Sequence, residues 1–117
     1  MKLFPAFLFA LLTLTTTAQA GKNDPEWNPP PRFDRPFDGI LIHRKLPQHL
    51  VVGACDYLFA KMGFTLKASA RQRGCAAGKA GVCYVITIDK PTFNTTPEAV
   101  LRHETGHCNG WPSHHPD

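Results

Sequence analysis

Two histidines four residues apart, His103 and His107, constrain the fold of this chain more than any other feature. Side chains at this spacing project from the same face of an α-helix, one turn apart. On a helix their imidazole nitrogens can bind one metal ion together, and Glu104 directly follows the first of them. The pattern therefore predicts a helix, a metal site and a carboxylate beside that site.

The residues around this pair carry independent helix signals. Thr96 suits the N-cap, Pro97 suits the first helical position, and Glu98 places a negative charge in the first turn. Gly110 suits the left-handed residue that ends a helix and turns the chain back. The sequence thus predicts a capped helix that carries both histidines.

The preceding residues alternate between strand and helix patterns. Hydrophobic residues recur at helical spacing after Pro47, and Gly63 marks the end of that helix. Alternation of apolar and polar residues predicts strands elsewhere. The predicted order is a buried strand (39–43), a helix (47–62), a strand (64–70), a glycine-containing loop (71–81), a strand (82–89) and the histidine helix.

The first twenty residues have the pattern of a signal peptide. Lys2 precedes an apolar run from Leu3 to Leu14 that is too short to span a bilayer, and residues 18–20 read Ala-Gln-Ala. We expect cleavage before Gly21 and a secreted or periplasmic protein, with an uncleaved anchor as the alternative. No second apolar run predicts stable membrane insertion.

Two further regions follow the predicted cleavage site. Residues 21–38 are rich in proline and predict an extended arm, and residues 39–117 form the predicted metal-binding domain. The formal net charge is +4, but the basic residues are scattered, with Arg71 and Arg73 the densest group. Without an aromatic-interleaved basic stripe, nucleic-acid binding is not indicated. We expect a monomer whose partner is a protein or peptide substrate.

All four cysteines lie after the predicted cleavage site, which indicates two disulfides in an exported small domain. Three pairings are possible. We favour Cys75–Cys83, which closes a short loop, and Cys55–Cys108, which ties an early helix to the histidine helix. A cysteine–zinc site is the alternative, but no pair has the C-x-x-C spacing.

A catalytic zinc ion (Zn²⁺) takes three protein ligands and keeps one open position, so His103 and His107 need a third partner. His114 is the first choice because the chain turns back at Gly110. Two alternatives stay open. In a structural zinc site four protein ligands leave no open position, and if the two histidines are ordinary helix residues there is no metal site. The other candidate ligands are His115 and Asp117 nearby and His43 and His49 further away.

The H-E-x-x-H stretch resembles the zincin metalloproteases, and Gly110 makes the metzincin-like branch the nearest in pattern. The chain departs from that branch, because Ser113 stands where the pattern has its third ligand and His114 follows one residue later. No methionine follows the motif. The resemblance covers His103 to His114.

The resemblance implies a small α+β zincin-like domain: a supporting helix, a short three-stranded sheet and an active-site helix, stapled by two disulfides. It implies zinc bound by His103, His107 and His114, and Glu104 as the general base of peptide hydrolysis. The strand at 82–89 would be the edge strand on which an extended peptide docks. Tyr84 or Tyr57 would assist the oxyanion, although a single tyrosine is more often a core or surface residue.

A second function stays open from the sequence. A domain this small leaves little room for a deep substrate cleft, which favours a binding protein. The alternative is therefore a non-catalytic, disulfide-stapled zinc-binding or accessory module of the cell envelope, with the proline-rich arm as its contact.

Overall fold

The computed structural model describes residues 27–116 as an α+β domain, which confirms the predicted class. Its elements in chain order are β1 (Ile40–Leu46), α1 (Gln48–Lys61), β2 (Gly74–Lys79), β3 (Val82–Ile88) and α2 (Pro97–Cys108). The predicted signal peptide, the first residues of the arm and Asp117 lie outside the described residues.

Both helices begin and end where the sequence predicts. In α2 the Thr96 side chain accepts a hydrogen bond from the Ala99 amide, and Pro97 occupies the first turn. Gly110 follows this helix with φ of 102°, and Gly63 follows α1 with φ of 78°. Capping residues act locally, so they fix helix ends without help from distant contacts.

The sheet order is β1-β3-β2, with β1 parallel and β2 antiparallel to β3. β3 is therefore central, and the prediction that residues 82–89 form an edge strand is wrong. Both helices pack on β2 and β3. β2 pairs on one side only within residues 27–116, so it is the edge strand next to α2.

The predicted loop at 71–81 contains β2, which the sequence analysis missed. Ala80 and Gly81 connect β2 to β3 with φ of 53° and 79°, as expected for a two-residue hairpin with both central residues left-handed. The segment from Gly74 to Gly78 has little intrinsic preference for strand. Pairing with β3 decides its conformation.

The strand predicted at 64–70 is absent from the described structure. Side chains bind its backbone in place of a neighbouring strand. Asp56 Oδ1 accepts from the Ala68 amide at 2.7 Å, and Gln48 Nε2 donates to the Ala70 and Gln72 carbonyls at 3.1 Å each. The apolar alternation there reflects partly exposed side chains on an irregular segment.

The core lies between the helices and β2–β3, and the disulfides cross it. The sulfur atoms join Cys55 to Cys75 and Cys83 to Cys108, so both predicted pairings are wrong although the number of disulfides is confirmed. The first links α1 to β2, and the second links the last turn of α2 to β3. The core cluster consists of Val51, Cys55, Phe59, Cys75, Ile88 and Val100.

β1 is more exposed than its apolar sequence predicts. Ile40 is 63% exposed and Ile42 is 45% exposed, so the expectation of a buried first strand is wrong.

Within residues 27–116 there is no helix with the length and hydropathy needed to cross a bilayer. The two disulfides are typical of an oxidising, extracytoplasmic compartment.

Candidate metal centre

Three histidine side chains converge at one point beside α2. His103 and His107 project from adjacent turns of the helix, as their spacing predicts, and His115 approaches from the tail. The Nε2 atoms are 3.3 Å apart for His103–His107, 3.1 Å for His107–His115 and 3.2 Å for His115–His103. The cluster is thus a nearly equilateral triangle of imidazole nitrogens that can hold a metal ion.

Two backbone carbonyls set the tautomers of the helix histidines. The Nδ1 of His103 lies 2.5 Å from the Trp27 oxygen, and that of His107 lies 2.7 Å from the Trp111 oxygen. Because a carbonyl only accepts, each Nδ1 carries the hydrogen and each Nε2 presents a lone pair. Two lone pairs facing each other make no hydrogen bond, so a cation between them satisfies both.

The spacing fits a tetrahedral ion. Two nitrogens at about 2.0–2.1 Å from such an ion stand about 3.3–3.4 Å apart, close to the separations in the triangle. Among residues 27–116, no carboxylate or thiolate joins this cluster, and all four cysteines are in disulfides. The described residues therefore offer three nitrogen ligands and leave a fourth position without a protein donor.

Burial favours the neutral, ligating form of these imidazoles. It lowers the pKa of His103 to about 3, against the opposing effect of the Trp27 carbonyl. It also lowers the pKa of His107, again opposed by its carbonyl partner, and that of His115, where His114 adds to the effect. Metal binding at neutral pH therefore does not require the displacement of protons from these rings.

Glu104 is buried on the same helix and has no polar partner. It is 6% exposed, and its carboxylate makes no hydrogen bond or ion pair with residues 27–116. Burial raises the pKa of this carboxyl to about 8. A buried carboxyl without a partner costs stability, and such groups concentrate at functional sites.

The tail folds into a tight turn that brings in His115. The His115 amide donates to the Pro112 carbonyl at 3.0 Å, and the Trp111 indole donates to the Pro116 carbonyl at 2.8 Å. His115 itself has φ of 57°. His114, the first choice from the sequence, is exposed and outside the cluster, because it lies within this turn. His115, one of the alternatives, takes that place.

Other candidates from the sequence lie elsewhere. His43 Nε2 is 2.8 Å from the Thr87 hydroxyl, and His49 is exposed on α1. Tyr57 and Tyr84 are exposed and do not line the groove beside the cluster. The structure therefore brings His103 and His107 together as predicted, places Glu104 on the same groove wall, and leaves these four residues apart.

Nothing in the sequence indicated that Trp27 and Trp111 lie beside the histidine cluster. Each supplies a carbonyl to one histidine, and each stacks its ring on that histidine, with centroids 4.1 Å apart for Trp27 and 4.8 Å for Trp111. The available signal was three aromatic residues, Trp27, Phe33 and Phe37, in the proline-rich arm. That signal does not indicate which residue each ring contacts.

A groove of about 860 Å³ lies over the cluster. One wall is formed by residues 74–82 along β2 and the hairpin turn, and another by His103, Glu104 and His107 of α2. Phe59, Phe64 and Leu66 add apolar surface, and Lys67 and Lys79 add positive charge. The groove connects an edge strand with the histidine cluster.

Comparisons of this chain with known protein families, curated proteins and solved structures find no match.

Proposed function

We propose that this protein is a small exported zinc metallopeptidase that hydrolyses peptide bonds, with Glu104 as general base. The observation that carries the proposal is the combination of three converging Nε2 atoms with a buried carboxyl that has no partner within residues 27–116. A structural metal site would not need Glu104 in this position.

The donor set favours zinc. Three neutral imidazoles in a near-tetrahedral arrangement suit Zn²⁺, whereas Mg²⁺ and Ca²⁺ prefer oxygen ligands. A zinc ion bound by His103, His107 and His115 would polarise a substrate carbonyl and lower the pKa of a water molecule. The three-ligand set supports a catalytic site, because structural zinc sites almost always have four protein ligands.

Glu104 supplies the proton transfers. Its carboxylate accepts one proton from water as the water oxygen forms a bond to the carbonyl carbon. The same proton then passes to the leaving nitrogen as the carbon–nitrogen bond breaks, which leaves a carboxylic acid and an amine. Glu104 lines the groove over the cluster, which gives its carboxyl access to a substrate bound there.

The edge of β2 is the proposed place for the substrate backbone. Within residues 27–116, β2 has a neighbouring strand on one side only, and its residues line the groove that contains Glu104. An extended peptide can add there as a further strand. β2 thus takes the role that the sequence had suggested for residues 82–89.

The test combines metal analysis with a peptide-library digest read by mass spectrometry. We expect one zinc ion per chain and cleavage by the wild type. Glu104→Gln should keep the zinc and lose about 10²–10⁴-fold in rate, while Glu98→Gln, exposed in the first turn of α2, should keep both.

The same measurements separate the second candidate from the first. A wild-type protein that binds zinc and cleaves no peptide in the library would be a non-catalytic zinc-binding module. A wild-type protein that binds no zinc would rule out both zinc-dependent functions. An unchanged rate in Glu104→Gln would contradict the proposed proton transfers.

A further inference from the structure

Residues 27–35 of the proline-rich arm lie against α2 and are anchored at several points. The Asp34 carboxylate pairs with the Arg102 guanidinium at 2.9 Å and 2.5 Å. The Asn109 side-chain amide donates to the Phe33 carbonyl at 2.9 Å and to the Arg35 carbonyl at 2.6 Å. The arm is therefore attached to the middle and to the end of the metal-bearing helix.

Trp27 connects this arm to the metal cluster. Its ring stacks on His103 with an interplanar angle of 21°, and its carbonyl accepts the His103 Nδ1–H. The Arg73 guanidinium lies over the same ring, 4.2 Å from its centre. The Trp27 Nε1 is buried and has no hydrogen-bond partner within residues 27–116, so stacking holds the ring.

Gly106 makes room for the arm within the H-E-x-x-H stretch. A Cβ at this position would lie 2.4 Å from Pro29 Cγ and 2.7 Å from Pro29 Cβ, closer than real contacts allow. Pro29 is itself buried. The same Cβ would lie 3.2 Å from Trp111 Cε3, so a glycine here makes room first for Pro29 of the arm and then for the Trp111 ring.

We propose that the arm is a part of the metal centre, with Trp27 as a positioning residue for His103, and that docking of the arm and metal binding stabilise each other. An outer-shell hydrogen bond to Nδ1 fixes the orientation of a ligating imidazole and raises its basicity. Coupling of this kind is reciprocal, so the metal also holds the arm. The proposal rests on metal binding by the cluster and does not require hydrolysis.

Zinc competition titrations with a chromophoric chelator test the first half of the coupling. Trp27→Ala removes the ring that holds the Trp27 carbonyl against His103, and Gly106→Ala displaces Pro29, so each should weaken zinc binding toward the about 10–100-fold loss typical of a missing outer-shell partner. Trp27→Phe should stay near the wild type, because it keeps a ring that stacks on His103. Wild-type affinity in both Trp27→Ala and Gly106→Ala would overturn the proposal.

Gly53→Ala is the matched control for Gly106→Ala. Gly53 lies in α1, and a Cβ there would meet nothing within 4 Å. Alanine is also the better helix former, so this variant should fold normally and bind zinc like the wild type. An equal loss of affinity in both glycine variants would attribute the effect to the substitution and not to the arm.

Hydrogen exchange of the wild-type protein tests the other half without any variant. The amides of Phe33, Asp34 and Arg35 are bonded within the arm. Zinc should slow their exchange more than that of the α1 amides, because the metal holds the docked arm. Equal changes in both regions would overturn the coupling even if Trp27→Ala failed to fold.

These experiments separate the two proposals. If the protein binds zinc but the arm and the metal do not affect each other, the proposed coupling is wrong and the peptidase proposal stands. If arm docking and zinc binding are coupled but no peptide is cleaved, the coupling is supported and the peptidase proposal is contradicted. A wild-type chain that binds no zinc removes both.

Discussion

The arm at 27–35 and the tail at 111–116 hold the two helix histidines in the same way but by different routes. In both regions a tryptophan gives its carbonyl to an Nδ1 and stacks its ring on the same imidazole. The tail partner is 4 residues from His107, whereas the arm partner is 76 residues from His103. One histidine is therefore held by local structure and the other by closure of the whole domain.

The two tryptophans also differ in what else they contact. The Trp111 ring contacts all three histidines, and its Nε1 donates to the Pro116 carbonyl. The Trp27 ring contacts His103 alone among them and is held by Arg73. The tail thus contacts the whole cluster and supplies its third histidine, while the arm orients one histidine.

The largest expected effect separates the two histidines of the tail. His115→Ala removes a nitrogen of the triangle and should weaken zinc binding by more than the about 10–100-fold expected for an outer-shell change. His114→Ala, the matched control, should bind zinc like the wild type. Metal analysis of both variants after dialysis decides between them. Zinc loss in His114→Ala and not in His115→Ala would show that His114 completes the cluster.

The second prediction compares the tryptophans directly. Trp111→Ala should weaken zinc binding at least as much as Trp27→Ala, because it loosens all three histidines. Phenylalanine should rescue Trp27 better than Trp111, since only the Trp111 indole donates a hydrogen bond within residues 27–116. Chelator competition on the four variants measures this order, and the reverse order would make the arm the main support.

The disulfides give a third comparison. Alanine at Cys83 and Cys108 frees the end of α2 that leads into the tail, whereas alanine at Cys55 and Cys75 frees α1. Either pair should lower the free energy of unfolding by about 3 kcal/mol in the chain-entropy model. Only the first pair should also weaken zinc binding. Urea unfolding with zinc titration tests both, and equal zinc affinity in the two double variants would refute the distinction.

The fourth prediction concerns the Glu104 carboxyl. Glu104→Gln should raise the thermal midpoint of the metal-free protein at pH 7, because burial raises the pKa of this carboxyl to about 8 and folding at pH 7 must therefore protonate it, whereas an amide is already neutral. A gain of about 1 kcal/mol is expected. Calorimetry in chelator measures it against exposed Glu98→Gln, and a loss of stability would mean that Glu104 has a stabilising partner.

The smallest effect is at the far end of the arm. The Arg102 hydrogen bond lowers the pKa of Asp34, so this pair stabilises the fold above the ordinary carboxyl range and loses its effect as pH falls through the lowered value. Because the pair is partly exposed, Asp34→Asn should cost only about 0.5 kcal/mol at pH 7. The difference from wild type should shrink at acid pH in urea unfolding, with exposed Asp38→Asn as the control.

The helices and the pair of helix histidines could be predicted because their signals are local. Thr96, Pro97 and Gly110 set the limits of α2, and the spacing of His103 and His107 fixes their common face. The strands were harder. Residues 64–70 have the alternating pattern of a strand, but their backbone hydrogen-bonds to side chains of α1. The small residues of β2 form a strand because they pair with β3.

The third ligand and the disulfide pairing depended on contacts that the sequence does not encode locally. His114 and His115 have the same chemistry, and only the turn from Pro112 to His115 selects one of them. In the antiparallel β2–β3 pair Cys75 lies opposite Ile86 and Cys83 lies opposite Gly78, so the two cysteines are held apart and each bonds to a helix, Cys75 to α1 and Cys83 to α2. One misplaced strand was therefore enough to mispair the cysteines.

By itself, the sequence determined the α+β class, the two helices with the Thr96 cap of the second, and a pair of histidines next to a glutamate in the chain, because capping and helical spacing act over a few residues. Tertiary structure decided which strand forms the sheet edge, which tail histidine completes the cluster and which carbonyl orients His103. Those choices join residues as far as 76 positions apart, and only the packing of the whole domain brings such residues into contact.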